Sequence, residues 1–400
     1  MSTLTDTIET PHFTGQAVEQ LIAVRRDLHM HPEVGFEEVR TSGVVAAKLK
    51  AMGLEPRTGI GRTGVMARIQ GGGPGRVVLL RADMDALPIQ EENDVPYRSK
   101  TPGRMHACGH DCHTSILLGI AQRLIDTRKD WKGEVVLCFQ PAEELGGVAG
   151  GAEAMIADGA LTWSPPEAAF GLHVWQDLAL GTVGVTEGPW MASADTFDIT
   201  VKGKGAHGAM PHLSADPVVC LAHMVTALQT IASRNTDPFR EVVVTVAQLK
   251  AGSAFNIIPE TAWMNGTVRV FDRAIWEQLP GQMERICNGV AAAFGCEARL
   301  DYQRGSLPTV NAPAMCRFAR EAAVSVVGTE RVRDDVRTMG GEDFSSFLDR
   351  VPGVFIAVGS RNEARGLVWD HHHPKFDVDE ECLRIGAEVL MRTALGYLAS

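Results

Sequence analysis

The sequence lacks the segments that would carry a chain into or across a membrane. Its first thirteen residues, MSTLTDTIETPHF, contain neither a basic stretch nor an apolar core of the kind found in secretory signals. No apolar run approaches the ~18 residues that a spanning helix needs. We therefore expect a cytoplasmic protein with no membrane partner.

Cysteines arranged for disulfides or for a zinc knuckle are also missing. The eight cysteines are scattered over 400 residues without the spacing of a disulfide framework, and we expect reduced thiols. A structural zinc finger built on Cys108 and Cys112 would need a distant Cys-x-x-Cys pair. The chain contains no such pair, and this class of site is excluded.

Positive charge is scarce in this chain. Lys and Arg number 38 against 49 Asp and Glu, which gives a formal net charge of −11 at pH 7. A nucleic-acid-binding protein or one that binds an anionic membrane surface would carry the opposite excess. We therefore expect a partner that is neither nucleic acid nor membrane.

A nucleotide-binding strand–turn–helix is not found either. Two stretches match G-x-G-x-x-G, GIGRTG (59–64) and GKGAHG (203–208), and they continue into VMARI and AMPHLSADP. A pyrophosphate site needs a helix N-terminus directly after these glycines. Because neither continuation has a helical pattern, we expect no dinucleotide cofactor.

The chain does contain enough apolar residues for two domains. Hydrophobic residues make up 45% of the 400 positions, more than one ordinary core uses. The periodicity predicts an α/β pattern with helices over 16–31, 38–52 and 115–124, and strands over 64–69, 76–81, 133–139 and 168–174. His29 and His31 end the first helix and are interpreted as helix C-terminal cations or packed histidines.

The pattern changes between residues 192 and 305. Strands and helices there follow the order β-α-β-β-α-β of the split ferredoxin-like arrangement, with Asp216 and Pro217 opening the first helix. The α/β pattern resumes near Thr309, so residues 192–305 are predicted to be an inserted domain. Residues 1–191 and 306–400 would form the surrounding domain, with a mixed sheet flanked by helices.

The densest cluster of metal-capable side chains is MHACGHDCH, residues 105–113. Cys108 and His110 lie two positions apart, and thiolate with imidazole suits zinc or another first-row divalent ion. Glu144, His173 and His372 are predicted on loops around the same sheet. Five ligands are too many for one tetrahedral zinc and favour two ions ~3.5–4 Å apart.

Two adjacent acids, Glu143 and Glu144, follow a predicted strand and Pro141. Such a pair on its own is typical of a solvated surface. A hydrolytic metal site, however, needs one carboxylate to bind the ion and an unligated one to take a proton from the attacking water. Next to the other motifs, the pair therefore indicates hydrolysis.

Nine stretches occur in the order seen in the M20 metallopeptidase family: RRDLHMHPEVGFEE, RADMDALPI, HACGHDCHTSILLG, QPAEE, GLHVW, GKGAHGAMPH, NIIPE, MGGEDF and HHHPKFD. From about Leu21 to Asp377 the chain resembles this family. The greatest similarity is to its amidohydrolase branch, which holds hippurate hydrolases, N-acyl-amino-acid amidohydrolases and indole-acetyl-amino-acid hydrolases.

The resemblance implies roles for residues of the surrounding domain. Glu143 matches the general base of the family. The positions that match its two-metal ligand set are Cys108, His110, Glu144, His173 and His372.

The resemblance also implies that the inserted domain is a lid and dimerisation domain. His207 matches a histidine that reaches the scissile carbonyl oxygen, from the neighbouring subunit in dimeric relatives. Asn256 and Arg269 match positions linked to the substrate carboxylate, a role that suits the guanidinium fork. His212 and His113 are interpreted as structural.

The chain departs from many M20 branches where it has Asp83-Met-Asp85 instead of His-x-Asp. Cys108 and His110 would replace the missing histidine, as in the amidohydrolase branch. Asp85 is expected to orient a ligand without touching the ion, and Asp83 has no predicted role.

Three of these assignments have alternatives. His372 follows the His-x-Pro pattern of the branch, but His371 or His373 could take its place. His207 could serve only the glycine-rich turn around it, and Arg269 could be a solvated strand residue.

The resemblance therefore implies a hydrolase of N-acyl or N-aroyl amino acids, such as hippurate. Two divalent ions per subunit are expected: Cys108 favours zinc, while manganese, cobalt or nickel also accept such ligands. A dipeptidase or an N-acetyl-amino-acid deacetylase is the alternative on the same fold, and a non-catalytic metal-binding protein is a third hypothesis. A homodimer or homotetramer is expected.

Overall fold

The computed structural model of the chain describes residues 12–400. Residues 1–11, where a secretory signal would begin, lie outside the residues that the structure describes. The chain divides into two compact units. The first unit contains the residues up to Trp190 together with Val310–Arg337 and Asp343–Ser400, and the second contains Met191–Thr309 and Thr338–Glu342.

The helices are α1 (Gln16–His29), α2 (Val39–Ala51), α3 (His110–Asp126), α4 (Gly151–Ala157), α5 (Pro217–Leu228), α6 (Thr230–Arg234), α7 (Arg273–Ala293), α8 (Pro313–Val327), α9 (Ser345–Leu348) and α10 (Glu381–Leu398). Among the described residues, no helix is long and apolar enough to cross a bilayer.

The strands are β1 (Arg57–Ile60), β2 (Gly64–Gln70), β3 (Val77–Asp83), β4 (Glu134–Gln140), β5 (Ala168–Ala179), β6 (Val183–Gly184), β7 (Gly188–Met191), β8 (Ala194–Lys202), β9 (Ala206–His207), β10 (Val242–Ala251), β11 (Ile257–Ile258), β12 (Thr261–Val270), β13 (Glu297–Ser306), β14 (Thr309–Asn311), β15 (Val332–Arg333) and β16 (Gly353–Arg361).

The first unit is built on an eight-stranded sheet with the order β1-β2-β4-β3-β5-β16-β6-β15. β4, β3, β5 and β16 run parallel at its centre, and β1 and β2 add antiparallel at one edge. The central strands are buried along nearly their whole length, as parallel strands covered on both faces are. The predicted α/β fold with a mixed sheet is confirmed.

This topology brings the candidate residues to one edge of the sheet. β3 ends at Asp83 and β4 at Gln140, and these two residues are directly paired. The carboxyl ends of neighbouring parallel strands meet at the same edge, where open α/β sheets bind ligands. The PAEE segment, residues 141–144, therefore begins beside Asp83.

Two predicted boundaries near the site are wrong. The helix expected at 115–124 begins at His110, because the polar side chains of its first turn are buried and bonded rather than solvated. Gly109 enters that helix at φ 92, and a Cβ there would lie 2.3 Å from Val174 Cγ2. β5, expected to end at residue 174, continues to Ala179, so His173 lies within the strand.

The second unit is built on a four-stranded antiparallel sheet with the order β10-β12-β8-β13. Burial alternates along β8, with Phe197, Ile199 and Val201 in the core beneath α5 and α7. The predicted cap of α5 is confirmed: the Asp216 carboxylate accepts from two backbone N–H groups, and Pro217 is the first helical residue.

Candidate metal centre

Three of the five predicted ligands form a buried group at the edge of the sheet in the first unit. Cys108 Sγ lies 3.4 Å from His173 Nε2. Ligand atoms of Cys108, His110 and His173 all lie within 4.8 Å of one another, and the three residues are buried. A thiol and two imidazoles at these distances could hold one divalent ion.

Cys108 also belongs to a second group, with Glu144 and His372. His372 Nε2 lies 3.3 Å from Glu144 Oε1. A further group links His110 to Glu143 and Glu144. The structure therefore brings all five predicted ligands and the predicted base together, with the cysteine common to two candidate ligand sets.

The three neighbouring histidines 371–373 face different surroundings. His371 Nε2 bonds the Val174 carbonyl at 2.9 Å, and His373 stacks on Trp369 with ring centroids 4.3 Å apart. His372 has φ 66, and its N–H donates to the Ala107 carbonyl at 2.8 Å. Of the three, only His372 belongs to a candidate ligand group of the described residues.

Backbone oxygens orient the buried imidazoles. His110 Nδ1 lies 2.9 Å from the Asp85 carbonyl, and His173 Nδ1 lies 2.6 Å from the Val174 carbonyl. Because a carbonyl oxygen only accepts hydrogen bonds, each Nδ1 carries the proton. Each Nε2 is then the ring atom that can coordinate an ion. Within residues 12–400, His110 Nε2 is buried and has no hydrogen-bond partner.

Asp85 contacts both halves of the site. Its Oδ1 lies 3.2 Å from His110 Nδ1 and accepts from the Glu143 N–H at 3.0 Å. Its Oδ2 accepts from the Glu144 N–H at 3.0 Å. One fully buried carboxylate therefore fixes an imidazole and the backbone of both acids.

Asp83, for which the sequence predicts no role, lies beneath the same imidazoles. Its carboxylate accepts from Arg81 at 2.7 Å and bonds His113 Nδ1 at 2.6 Å. His113 Nε2 in turn accepts from the Val174 N–H at 2.9 Å, so both ring nitrogens of His113 are used within the fold. This agrees with the structural interpretation of His113.

Protons and an ion would compete for the same atoms. Burial raises the pKa of the Cys108 thiol well above its usual range, and nearby Glu144 raises it further. Burial alone would lower the pKa of His110, but the Asp83 and Asp85 carboxylates outweigh it and raise that pKa to about 10. Ion binding must therefore displace protons from these groups.

A buried ionic cluster supports the first turn of α3, which begins at His110 directly after the loop that carries Cys108. Arg25 Nε donates to Asp111 at 2.9 Å, and a second guanidinium nitrogen donates to Asp377 at 2.7 Å. His29 bonds Asp111 through Nδ1 at 2.7 Å and Glu91 through Nε2 at 3.2 Å. Because carboxylates face both ring nitrogens, His29 is an imidazolium. Of the two interpretations made from the sequence, a helix C-terminal cation or a packed histidine, the buried position fits the packed histidine.

This imidazolium links stability to pH. Burial and the neighbouring Arg25 guanidinium lower the pKa of His29, but Asp111 and Glu91 outweigh them and raise the pKa from 6.5 to about 9. The stabilisation is complete below pH 6.5 and is lost as the pH rises through about 9. At about 1.36 kcal/mol per pKa unit, it amounts to roughly 3 kcal/mol.

We therefore expect the metal-loaded wild type to lose its stability advantage over His29→Gln as the pH rises from 6.5 to about 9.5. The free energies of unfolding of both proteins are measured by urea denaturation at each pH. His31→Gln, on the more exposed side of the same helix end, controls for the loss of an imidazole. A constant difference between wild type and His29→Gln over this range would contradict the assignment.

The three residues assigned to the inserted domain lie in the second unit. His207, in β9, pairs with Ile257, and the Gly208 N–H donates to the Asn256 carbonyl at 2.8 Å, so His207 and Asn256 are neighbours. Arg269 lies near the end of β12, on the order of 25 Å along the strand from its first residue, Thr261, at ~3.3 Å per residue. Its guanidinium bonds Thr267 and the Val268 carbonyl.

Three polar residues of the site escaped prediction: Arg81, Gln140 and Asp343. All are buried, and they bond one another around the end of β4. One signal was available, since Arg81 follows four apolar residues of a predicted strand and a buried guanidinium needs acidic partners.

A mixed α/β sheet with thiol, imidazole and paired carboxylate groups at the ends of its parallel strands is the architecture of a metal-dependent hydrolase. The family described as Peptidase family M20/M25/M40 matches residues 79–396, and the chain belongs to this family.

Relatives of known name agree with this membership. The chain is 40% identical over 382 residues to the N-acetyl-L-cysteine deacetylase of Bacillus subtilis (strain 168), which covers 96% of this chain and 89% of that protein. It is also 40% identical over 382 residues to the IAA-amino acid hydrolase ILR1-like 4 of Arabidopsis thaliana, with 94% and 86% covered.

Among solved structures, the Bacillus subtilis YXEP protein, described as a dinuclear metal binding peptidase from the M20 family, superposes with a TM-score of 0.84. It is 35% identical, and the match covers 96% of this chain and 99% of that chain. The chain is therefore a hydrolase of the M20 family, and the predicted resemblance and enzyme class are confirmed.

Proposed function

We propose that the protein hydrolyses the amide bond of N-acyl or N-aroyl amino acids, such as hippurate, in the cytoplasm. One observation carries the proposal: Cys108 belongs to two candidate ligand sets, and His110 of one set forms a third group with Glu143 and Glu144. The names of the relatives, a deacetylase of N-acetyl-L-cysteine and a hydrolase of IAA-amino acids, support an acyl–amino acid substrate.

The donor atoms fit a pair of divalent ions. His110 Nε2 is buried without a hydrogen-bond partner among the described residues, which a bound ion would satisfy. Thiolate, imidazole and carboxylate together favour zinc, while manganese, cobalt or nickel also accept the oxygen and nitrogen donors. Such ions, when bound, supply Lewis acidity that activates water and polarises the amide carbonyl.

Glu143 is the base in this proposal. Its backbone N–H is held by Asp85, and its Oε1 accepts from the Asp343 N–H at 3.3 Å, so the carboxylate has a fixed direction. The side chain is 9% exposed, enough to meet substrate and water. It takes a proton from the attacking water and delivers it to the leaving amine nitrogen.

We further propose that residues 192–305 form a ferredoxin-like lid and dimerisation domain, and that residues 1–191 and 306–400 form the catalytic domain. Exposed apolar side chains of the second unit, Leu249 on β10 and Phe255, support assembly into a homodimer or homotetramer. Asn256 and Arg269 bind the substrate carboxylate. Because they lie far apart along one unit, a neighbouring subunit would supply one of them.

We assign His207 the role of stabilising the negative charge that develops on the carbonyl oxygen. Its Nδ1 accepts from the Ala209 N–H at 3.1 Å, which leaves Nε2 to donate from an exposed position. His207→Ala should lower kcat by about 10²–10³-fold with the metal content unchanged. His212→Ala in the same stretch is the matched control, and equal kcat values for the two variants would refute the assignment.

The substrate proposal is tested on protein of measured metal content with hippurate, N-acetyl amino acids, an indole-acetyl amino acid and dipeptides. We expect the highest kcat/KM on hippurate or on the indole-acetyl amino acid, whose acyl groups are larger than acetyl. Preference for dipeptides or for acetyl groups alone would establish one of the two alternative activities. Fully loaded protein that cleaves none of them would favour the non-catalytic metal-binding hypothesis.

A further inference from the structure

The segment that carries Glu143 and Glu144 is tied at both ends to one residue, Asp343. At its start, Gln140 Nε2 donates to Asp343 Oδ1 at 2.6 Å. At its end, the Ala152 N–H donates to Asp343 Oδ2 at 3.0 Å. The ten residues between β4 and α4 are therefore closed off by a single carboxylate.

Asp343 is itself held from below by the sheet. Arg81, on the neighbouring strand β3, donates to Asp343 Oδ1 at 3.0 Å and, through Nε, to Gln140 Oε1 at 2.9 Å. Arg81, Gln140 and Asp343 are each at most 1% exposed. Buried, charge-assisted hydrogen bonds of this kind are short and directional.

Asp343 also contacts the base directly. Its backbone N–H donates to Glu143 Oε1 at 3.3 Å, while Asp85 holds only the backbone of Glu143. Asp343 is absent from the candidate ligand groups that contain Cys108, His110, His173 or His372, but its carboxylate lies within 4.8 Å of the Glu143 carboxylate in a group with Glu342. Its side chain fixes the segment, and its backbone fixes the carboxylate at the end of that segment.

We propose that Asp343 is a positioning residue for Glu143: through Gln140 and Ala152 it sets where the base stands, and through its own N–H it sets where the carboxylate points. This inference rests on the proposed function, because it assigns Asp343 a part in the proton transfer by Glu143. It also gives the GGEDF motif a role that the sequence analysis did not provide.

The test is Asp343→Asn, which keeps the backbone N–H and the side-chain shape. Both oxygens of the aspartate accept from donors, and an asparagine offers one oxygen and one NH₂ group. The NH₂ group would face a donor, and the segment would shift. Because misplacement by about 1 Å can cost 10²-fold, we expect kcat to fall about 100-fold. KM should stay near that of the wild type, with the metal content unchanged.

Asp335→Asn is the matched control, since it breaks an exposed pair with Arg333 by the same chemical change. Kinetics, metal per chain by mass spectrometry and the thermal midpoint are measured on all three proteins. Wild-type kcat in fully loaded Asp343→Asn would overturn the positioning role. A fall in kcat that is fully explained by a lower metal content would also overturn the positioning role. Such a result would indicate that Asp343 is a purely structural residue.

If Asp343→Asn does not fold, Gln140→Met removes one of the two segment ties and leaves the Arg81–Asp343 pair in place. A reduced kcat at full metal content supports the proposal, and an unchanged kcat overturns it. If the wild type cleaves substrates of the panel and these variants have the same kcat, only the positioning role is refuted. Wild type that is inactive on the whole panel refutes the proposed function, and the positioning role with it.

Discussion

Glu143→Gln should reduce kcat by between about 10² and 10⁴-fold, the range that general-base catalysis supplies. An amide in place of the carboxylate keeps the size of the side chain and can still accept from the Asp343 N–H. It cannot take a proton from water at neutral pH. Because the predicted ligand of the pair is Glu144, both ions should remain bound, as measured by metal analysis of the purified variant.

Glu153→Gln is the matched control for this substitution. Glu153 lies on α4, close in sequence to the base, and pairs with Arg350 at the surface. It should retain the activity of the wild type. Near-wild-type kcat in Glu143→Gln would remove Glu143 from the mechanism and leave another group to handle the proton.

Cys108→Ala should have the largest effect on metal content. The thiol belongs to two of the candidate ligand sets, one with His173 and one with Glu144, so its loss weakens both. Loss of an outer partner of a metal ligand costs about 10–100-fold in affinity, and loss of a shared ligand should exceed that. We expect the variant to retain less than one ion per chain after dialysis and to lose activity accordingly.

Cys112→Ala separates this effect from the loss of any buried thiol. Cys112 is buried like Cys108 and lies in the same short stretch, but its thiol forms a hydrogen bond with the free thiol of Cys382 on α10. It should keep both ions. If Cys108→Ala also kept both ions at full affinity, the cysteine would be a packed thiol, and the shared-ligand assignment would be wrong.

Local pattern was sufficient for much of the fold and for the residues of the candidate centre. Strands such as β4 and the capped helix α5 follow from periodicity and from Asp216. The α3 boundary was missed because a turn containing His110, Asp111 and His113 has the composition of a loop. Only the tertiary partners of these side chains make burial of that turn favourable.

The supporting groups could not be predicted from local pattern because their partners are far away in sequence. Asp343 lies 200 positions after Glu143, and Arg25 lies 86 before Asp111. Nor does sequence separate three consecutive histidines. The backbone of His372 adopts the left-handed region at φ 66. With this turn the His372 imidazole faces Glu144, whereas the imidazoles of the two adjacent histidines face other partners.

The ionic cluster of Arg25, His29 and Asp111 has a consequence for how the protein matures. Its members are fully buried and bond the first turn of α3 without any contribution from an ion. The first turn of α3, which carries His110, is therefore held by bonds between protein groups. We therefore expect this turn to fold before an ion binds, unlike zinc fingers, whose folding requires the metal.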